Sequence, residues 1–227
     1  CFEVYYEFVS LRHPEEYPFN EGRIVSNRGL DIPASEFNRC FEEVQRPHSN
    51  ALHCVKKGAG HYMVGPMARF NLNFDRLPER VRRLCEKLKL VAPMRNPFRS
   101  IAVRAAEVLF ACEEALRIIE SYREPKPPFV KIEPRAGEGH AATEAPRGLL
   151  YHRYRTDEKG VVLEAQIVPP TSQNQGRIEA DLRAFIPGIL HLPKEKFSLR
   201  CEQAVRNYDP CISCATHFLK VTAEDEA

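Results

Sequence analysis

No stretch of the sequence offers the roughly 18 uninterrupted apolar residues of a membrane-spanning helix, and no basic segment leads into an apolar one as in a Sec-type leader. A soluble, cytoplasmic protein is the resulting expectation. Charge of one sign is also missing. Lys and Arg number 33 against 31 Asp and Glu, a formal +2, without the clustered basic surface that nucleic acid demands. The glycine-containing segment from Gly58 to Asn71 carries no G-K-[ST], so it does not read as a phosphate-cradling P-loop. Residue 1 is Cys rather than Met, and the alternating run Phe2 to Val9 opens in mid-pattern, so the expectation is a chain that starts downstream of its gene's start. There is one C-x-x-C and no second, because Cys1, Cys40, Cys54, Cys85, Cys112 and Cys201 include no pair at that spacing.

What is present allows one or two domains with a sizeable core in 227 residues. Thiols scattered through apolar patterns predict a reduced protein whose cysteines stay free outside the terminal pair. Alternation predicts a half-buried strand over Phe2 to Val9 and a short strand over Arg23 to Ser26. Phe37, Cys40, Phe41 and Val44 would form the face of a short helix after Pro33, and Val81, Leu84, Cys85 and Leu88 that of a helix from Pro78 to Leu90. Asn96-Pro97 reads as a helix start. From Phe98 to about Arg123, Ile101, Ala105, Val108, Leu109, Cys112, Ala115, Leu116 and Ile119 keep helical phase, predicting a long bundle helix with Cys112 a packed thiol in its stripe.

Pro125 to Pro128 ends that helix and marks a division between residues 1–124 and 125–227. Residues 140–147 read as a loop. Gly148 to Thr156 and Val161 to Val168 flank the four-residue turn Asp157 to Gly160 and predict a hairpin, followed by helices over Ile178 to Phe185 and Lys194 to Val205. The fold class is α+β: a long-helix bundle, a β-hairpin subdomain and a carboxy-terminal metal-binding loop. Because antiparallel strands return their termini to each other, Glu144 to Gly148 and Val168 to Asn174 meet at one end of the hairpin. That end gathers Arg147, the Thr171 hydroxyl and loop amides, donors suited to small anionic ligands. Two ordinary loops with a surface Arg give the same pattern.

Chemistry concentrates in Tyr208-Asp209-Pro210-Cys211-Ile212-Ser213-Cys214-Ala215-Thr216-His217. Two thiols at C-x-x-C spacing can share one soft or borderline ion, with a His three residues further on as another donor of the kind such ions prefer. On spacing alone, a redox pair or half of a structural zinc site fits as well.

The run D-P-C-x-x-C-x-x-H resembles the carboxy-terminal motif of nickel-iron hydrogenase large subunits, most of all the soluble branches. The string V-G-P-x-A-R-x-N, Val64 to Asn71, resembles a second stretch of that family, and Arg69 within it reads equally as a surface residue. E-A-P-R-G at Glu144 to Gly148 and the Pro170-Thr171 pair look like the two loops that close over the family's site.

The resemblance implies a nickel-iron centre with CO and cyanide ligands. Cys211 is then a terminal nickel ligand and Cys214 a bridge. Arg147, Asp209 and Pro146 form a canopy, Pro170 and Thr171 hold the cyanides, and His217 lies near a magnesium ion. It also implies heterolytic cleavage of dihydrogen, with iron-sulfur clusters in a small subunit and further electron-transfer subunits as partners. The family's centre takes four thiolates, so this chain would not close the site alone: either the sequence is a fragment of a longer subunit, or the amino-terminal half with the other two is a separate chain. A truncated hydrogenase-like binding or scaffold module, holding zinc at Cys211, Cys214 and His217, is the alternative.

Overall fold

The computed structural model describes residues 2–211. Three small antiparallel sheets and six α-helices pack around two hydrophobic clusters. The amino-terminal sheet pairs β1 (Val9–Arg12), β2 (Arg23–Ser26) and β3 (Asp31–Ile32). A short helix α1 (Phe37–Cys40) runs straight into β4 (Phe41–Val44), which pairs with β5 (His53–Lys56). Then come α2 (Pro66–Asn73), α3 (Glu79–Lys87) and the 22-residue α4 (Ser100–Ser121). The third sheet is β6 (Gly137–Ala145), β7 (Gly148–Thr156) and β8 (Val162–Val168), and α5 (Pro170–Phe185) and α6 (Lys194–Arg206) follow.

Both clusters draw on distant parts of the chain. Val9, Leu11, Phe37, Phe41 and Tyr62 pack with Leu149, Tyr151 and Val168, while Tyr6, Met67, Phe70, Val103 and Phe110 pack with Ile178 and Tyr208. The rings of Phe37 and Tyr151 stack at 4.1 Å between centroids, fixing the third sheet against α1.

The β7–β8 hairpin, α3 and α6 lie where periodicity and turn chemistry put them. Other elements differ. The amino-terminal strand begins at Val9, where four residues can pair with β2; before it, backbone contact is made with Met63, through the Val9 amide and a bridge at Phe8. Phe41 to Val44 is strand rather than helix, because pairing with β5 overrides a spacing that fits either period. Residues 137–145, expected as mostly loop, form β6, in nine-residue register with β7. Pro170 to Asn174 form the first turn of α5, so the helix starts eight residues earlier than apolar spacing indicates.

The long helix is present, yet its packed face is Ser100, Val103, Ala106 and Phe110. Of the apolar stripe read from sequence, Leu109 packs against the core, but most of the rest points outward: Ile101 is 73% exposed, Val108 62%, Leu116 60% and Ile119 70%, and Cys112 is exposed rather than packed. Periodicity identifies an amphipathic helix but not which of two apolar stripes its own chain covers. Cys40, Cys54, Cys85, Cys112 and Cys201 form no disulfide. No described helix is long and apolar enough to cross a membrane.

Candidate functional site

Two glycines bring the site's loops together. Gly65 precedes α2 at φ +107° and Gly148 opens β7 at φ +131°, left-handed values that favour glycine. A Cβ on Gly65 would lie 2.6 Å from the Arg147 carbonyl oxygen, and one on Gly148 2.6 Å from the Gly65 nitrogen. Val64-Gly65-Pro66 and Pro146-Arg147-Gly148 are thus in direct backbone contact. Asn174 on α5 reinforces the junction, accepting from the Val64 N–H at 2.9 Å and donating to its carbonyl at 3.1 Å. Gln173 donates to the carbonyls of Leu149 and Val168 and so ties the two hairpin strands to α5.

Arg69 fixes the loop from beneath. It is 5% exposed, so the surface alternative is excluded, and all five of its N–H groups are used. Nε and one terminal nitrogen grip Glu107 at 2.8 and 2.7 Å; the remaining bonds go to Glu144 at 2.9 Å and to the carbonyls of Ala145 and Pro146 at 2.7 and 3.0 Å. Glu144 also accepts from the Leu11 N–H at 2.8 Å. Burial pushes the Glu144 carboxyl up to about 7 against the opposing pull of Arg69.

The chain leaving α6 is held residue by residue from three directions. Ser100 and Arg104 of α4 donate to the Asn207 carbonyl at 2.8 and 2.7 Å. The Tyr208 hydroxyl donates to Asp181 of α5 at 2.6 Å, an oxygen that Tyr6 also reaches at 2.6 Å while Arg177 neutralises the carboxylate at 2.9 Å. Burial foremost, followed by the negative charge of Asp181 for Tyr6 and by Tyr6 and then Asp181 for Tyr208, drives both phenols well above their usual range. Arg147 Nε donates to the Asp209 carbonyl at 2.6 Å and lies 3.4 Å from its carboxylate. Asp209 sits at φ +48°, a strained conformation for a residue other than glycine, and those contacts hold it there. The Cys211 N–H then donates to the Thr171 hydroxyl at 3.5 Å.

Of the residues singled out by sequence, Arg147, Asp209, Thr171 and Cys211 therefore meet at one place. Pro146 and Pro170 flank them, the first exposed at the hairpin turn and the second buried at the start of α5. Cys214 and His217 lie outside the described residues. Beside this junction a cavity of about 330 Å³ is lined by Arg69, Arg104, Glu107, Glu144, Pro146 and Asp209, with Tyr17, Phe19 and Phe110 on its apolar side. The supports that sequence reasoning missed are Asp181, Arg104, Gln173 and Asn174. A signal for two of them existed in the polar run Ser172 to Gln175 at a helix start, where amides have backbone to satisfy.

The family model described as nickel-dependent hydrogenase matches residues 60–217. Sulfhydrogenase 1 subunit alpha of Pyrococcus furiosus is 30% identical over 200 residues, covering 87% of this chain and 46% of that subunit. The NAD-reducing hydrogenase HoxS subunit beta of Cupriavidus necator is 30% identical over 193 residues, covering 81% and 39%. Among solved structures, an NAD+-reducing [NiFe]-hydrogenase in its H2-reduced state superposes with a TM-score of 0.74 at 23% identity, covering 95% of this chain and 51% of that one. The Ni-Fe-Se hydrogenase of D. vulgaris Hildenborough gives 0.58 at 19%, covering 92% and 52%. The chain spans less than half the length of the curated relatives it matches.

Proposed function

The chain belongs to the nickel-dependent hydrogenase family, and from that premise we propose that it forms part of the catalytic subunit of a nickel-iron hydrogenase, oxidising dihydrogen reversibly to protons and electrons. The observation that carries this reading is the meeting of Arg147, Asp209, Thr171 and Cys211 on a loop held from α4, α5 and the hairpin turn.

The donors fit half of the centre. Thiolates of Cys211 and Cys214 suit nickel and iron and would hold them here, and His217 would suit a magnesium ion. Two more thiolates are needed, which an amino-terminal half of the subunit would bring. When bound, the centre supplies the electron-rich metal pair on which dihydrogen splits. The residues of this chain then orient and protect. A cysteine sulfur of this loop would take up a proton released as dihydrogen is oxidised, the electrons leaving through the centre, and the guanidinium of Arg147 would stabilise negative charge beside it. Pro170 and Thr171 shape the wall against which the cyanides would rest, and Pro146 stands with Arg147 and Asp209 over the site.

Electrons pass in this reading to the iron-sulfur clusters of a small subunit and on to further electron-transfer subunits, in the cytoplasm. The exposed stripe of α4 supports such partners, because Ile101, Val108, Leu116 and Ile119 leave a contiguous apolar face for another polypeptide to cover. Residues 1–124 and 125–227 are two parts of one large-subunit fold, a bundle around α4 and a hairpin subdomain with the metal loop.

The test is dihydrogen-dependent dye reduction by the assembly purified without oxygen. Arg147→Lys should lower the rate by about 100-fold or more while nickel content stays at the wild-type level, the scale expected for removing a preorganised charge from the reacting atoms. Undiminished turnover in that variant would refute the assignment.

A further inference from the structure

A second group of side chains able to ligate a metal includes Glu179 of α5. His48 stands in the connection between β4 and β5, His53 is the first residue of β5, and Glu179 is on α5. The donor atoms of the three side chains all lie within 4.8 Å of one another. His48 Nε2 is 2.8 Å from Glu179 Oε1, and His53 Nε2 faces the same oxygen at 4.0 Å, too far for a hydrogen bond.

His53 is the unusual member. It is 1% exposed, and its buried Nδ1 has no hydrogen-bond partner. Nε2 is the nitrogen that faces Glu179 and the one an ion between them would use, so the orphaned Nδ1 is not the ligand atom. Two imidazole nitrogens and one carboxylate oxygen are the protein ligands of open zinc sites built from a histidine pair and a glutamate. Donors about 2.1 Å from one tetrahedral ion are about 3.4 Å apart. Separations of 2.8 and 4.0 Å bracket that spacing, so an ion would move the closer pair apart and the wider pair together by about 0.6 Å each.

The surrounding charge selects the class of ion. Arg46 acts on His53, and Arg183 on Glu179, so a hard cation relying on carboxylates would find one acid among arginines. Imidazole nitrogens suit a borderline ion there. We propose that His48, His53 and Glu179 form a second metal site, taking Zn2+ or a similar divalent transition ion and tethering the β4–β5 connection to α5. The site uses described residues alone and does not rest on the hydrogenase assignment.

The experiment is zinc titration of the chelator-stripped chain, followed by calorimetry and by thermal unfolding, with Cys211→Ser/Cys214→Ser to silence the cysteine motif. That double variant should still bind one equivalent of Zn2+ and unfold at higher temperature with it. Its Co2+ form should show d–d bands without the thiolate charge-transfer band that a cysteine site gives. Adding His48→Ala or Glu179→Gln should weaken binding at least about tenfold. His48 is exposed, so its loss leaves the metal-free fold intact. Absence of zinc binding in the cysteine double variant, or undiminished affinity in either added substitution, would overturn the proposal.

Discussion

Arg69→Met is the most informative single perturbation of the fold that carries the site. The substitution keeps a long side chain but removes all five N–H donors at once. It leaves the Glu107 and Glu144 carboxylates facing each other's charge, and the Ala145 and Pro146 carbonyls unpaired. Breaking a buried pair by deleting one partner costs about 3–5 kcal/mol. The loss should depend on pH, and Glu144 sets the sign. Its folded pKa is raised, to about 7, against an ordinary value of 4.5. The stability it contributes is therefore fully present below about 4.5 and is lost as pH rises through about 7, a swing on the order of 3 kcal/mol. Without Arg69 only the Leu11 N–H draws that pKa down, so it climbs further and the ionised form is penalised more. Urea unfolding followed by circular dichroism should show a loss of about 3–5 kcal/mol near pH 8 and less than half of that near pH 5.5. Equal losses at both pH values, or a loss below about 1 kcal/mol at pH 8, would refute the reasoning.

Gly148→Ala and Gly65→Ala each force a Cβ to within 2.6 Å of backbone at a left-handed φ, and each should lower stability by at least about 2 kcal/mol in thermal unfolding. Tyr208→Phe removes a hydrogen bond to ionised Asp181 and should cost about 1.5–3 kcal/mol; combined with Tyr6→Phe in a double-mutant cycle, the two losses should not add, since both phenols use the same oxygen. Val108→Glu or Leu116→Glu, on the exposed stripe of α4, should leave the stability of the isolated chain within about 0.5 kcal/mol but abolish co-purification of partner polypeptides, as read by native mass spectrometry.

Local chemistry made some of this legible in the sequence. The turn Asp157 to Gly160 and its flanking alternation identify the hairpin, and antiparallel geometry alone brings Arg147 and Thr171 to one end of it. Elements decided by tertiary pairing were not legible. Residues 137–145 are rich in Gly and Ala and have little intrinsic strand preference, and they become β6 because β7 is there to pair with. Phe41 to Val44 carries a spacing compatible with helix and takes the strand that β5 offers. The stripe on α4 was read as core because sequence cannot tell a face that its own chain covers from one that another chain would cover. Arg69 could not be placed either, since its burial depends on Glu107 and Glu144, residues 38 and 75 positions away.

The central claim, that Cys211 and Cys214 are half of a nickel-iron centre, is tested most directly by quantifying nickel, iron and zinc in the assembly purified without oxygen, beside its Cys211→Ser form. The account predicts nickel and iron in equal amounts in the parent and loss of nickel in the variant. Zinc alone in the parent, or nickel retained undiminished after Cys211→Ser, would contradict it.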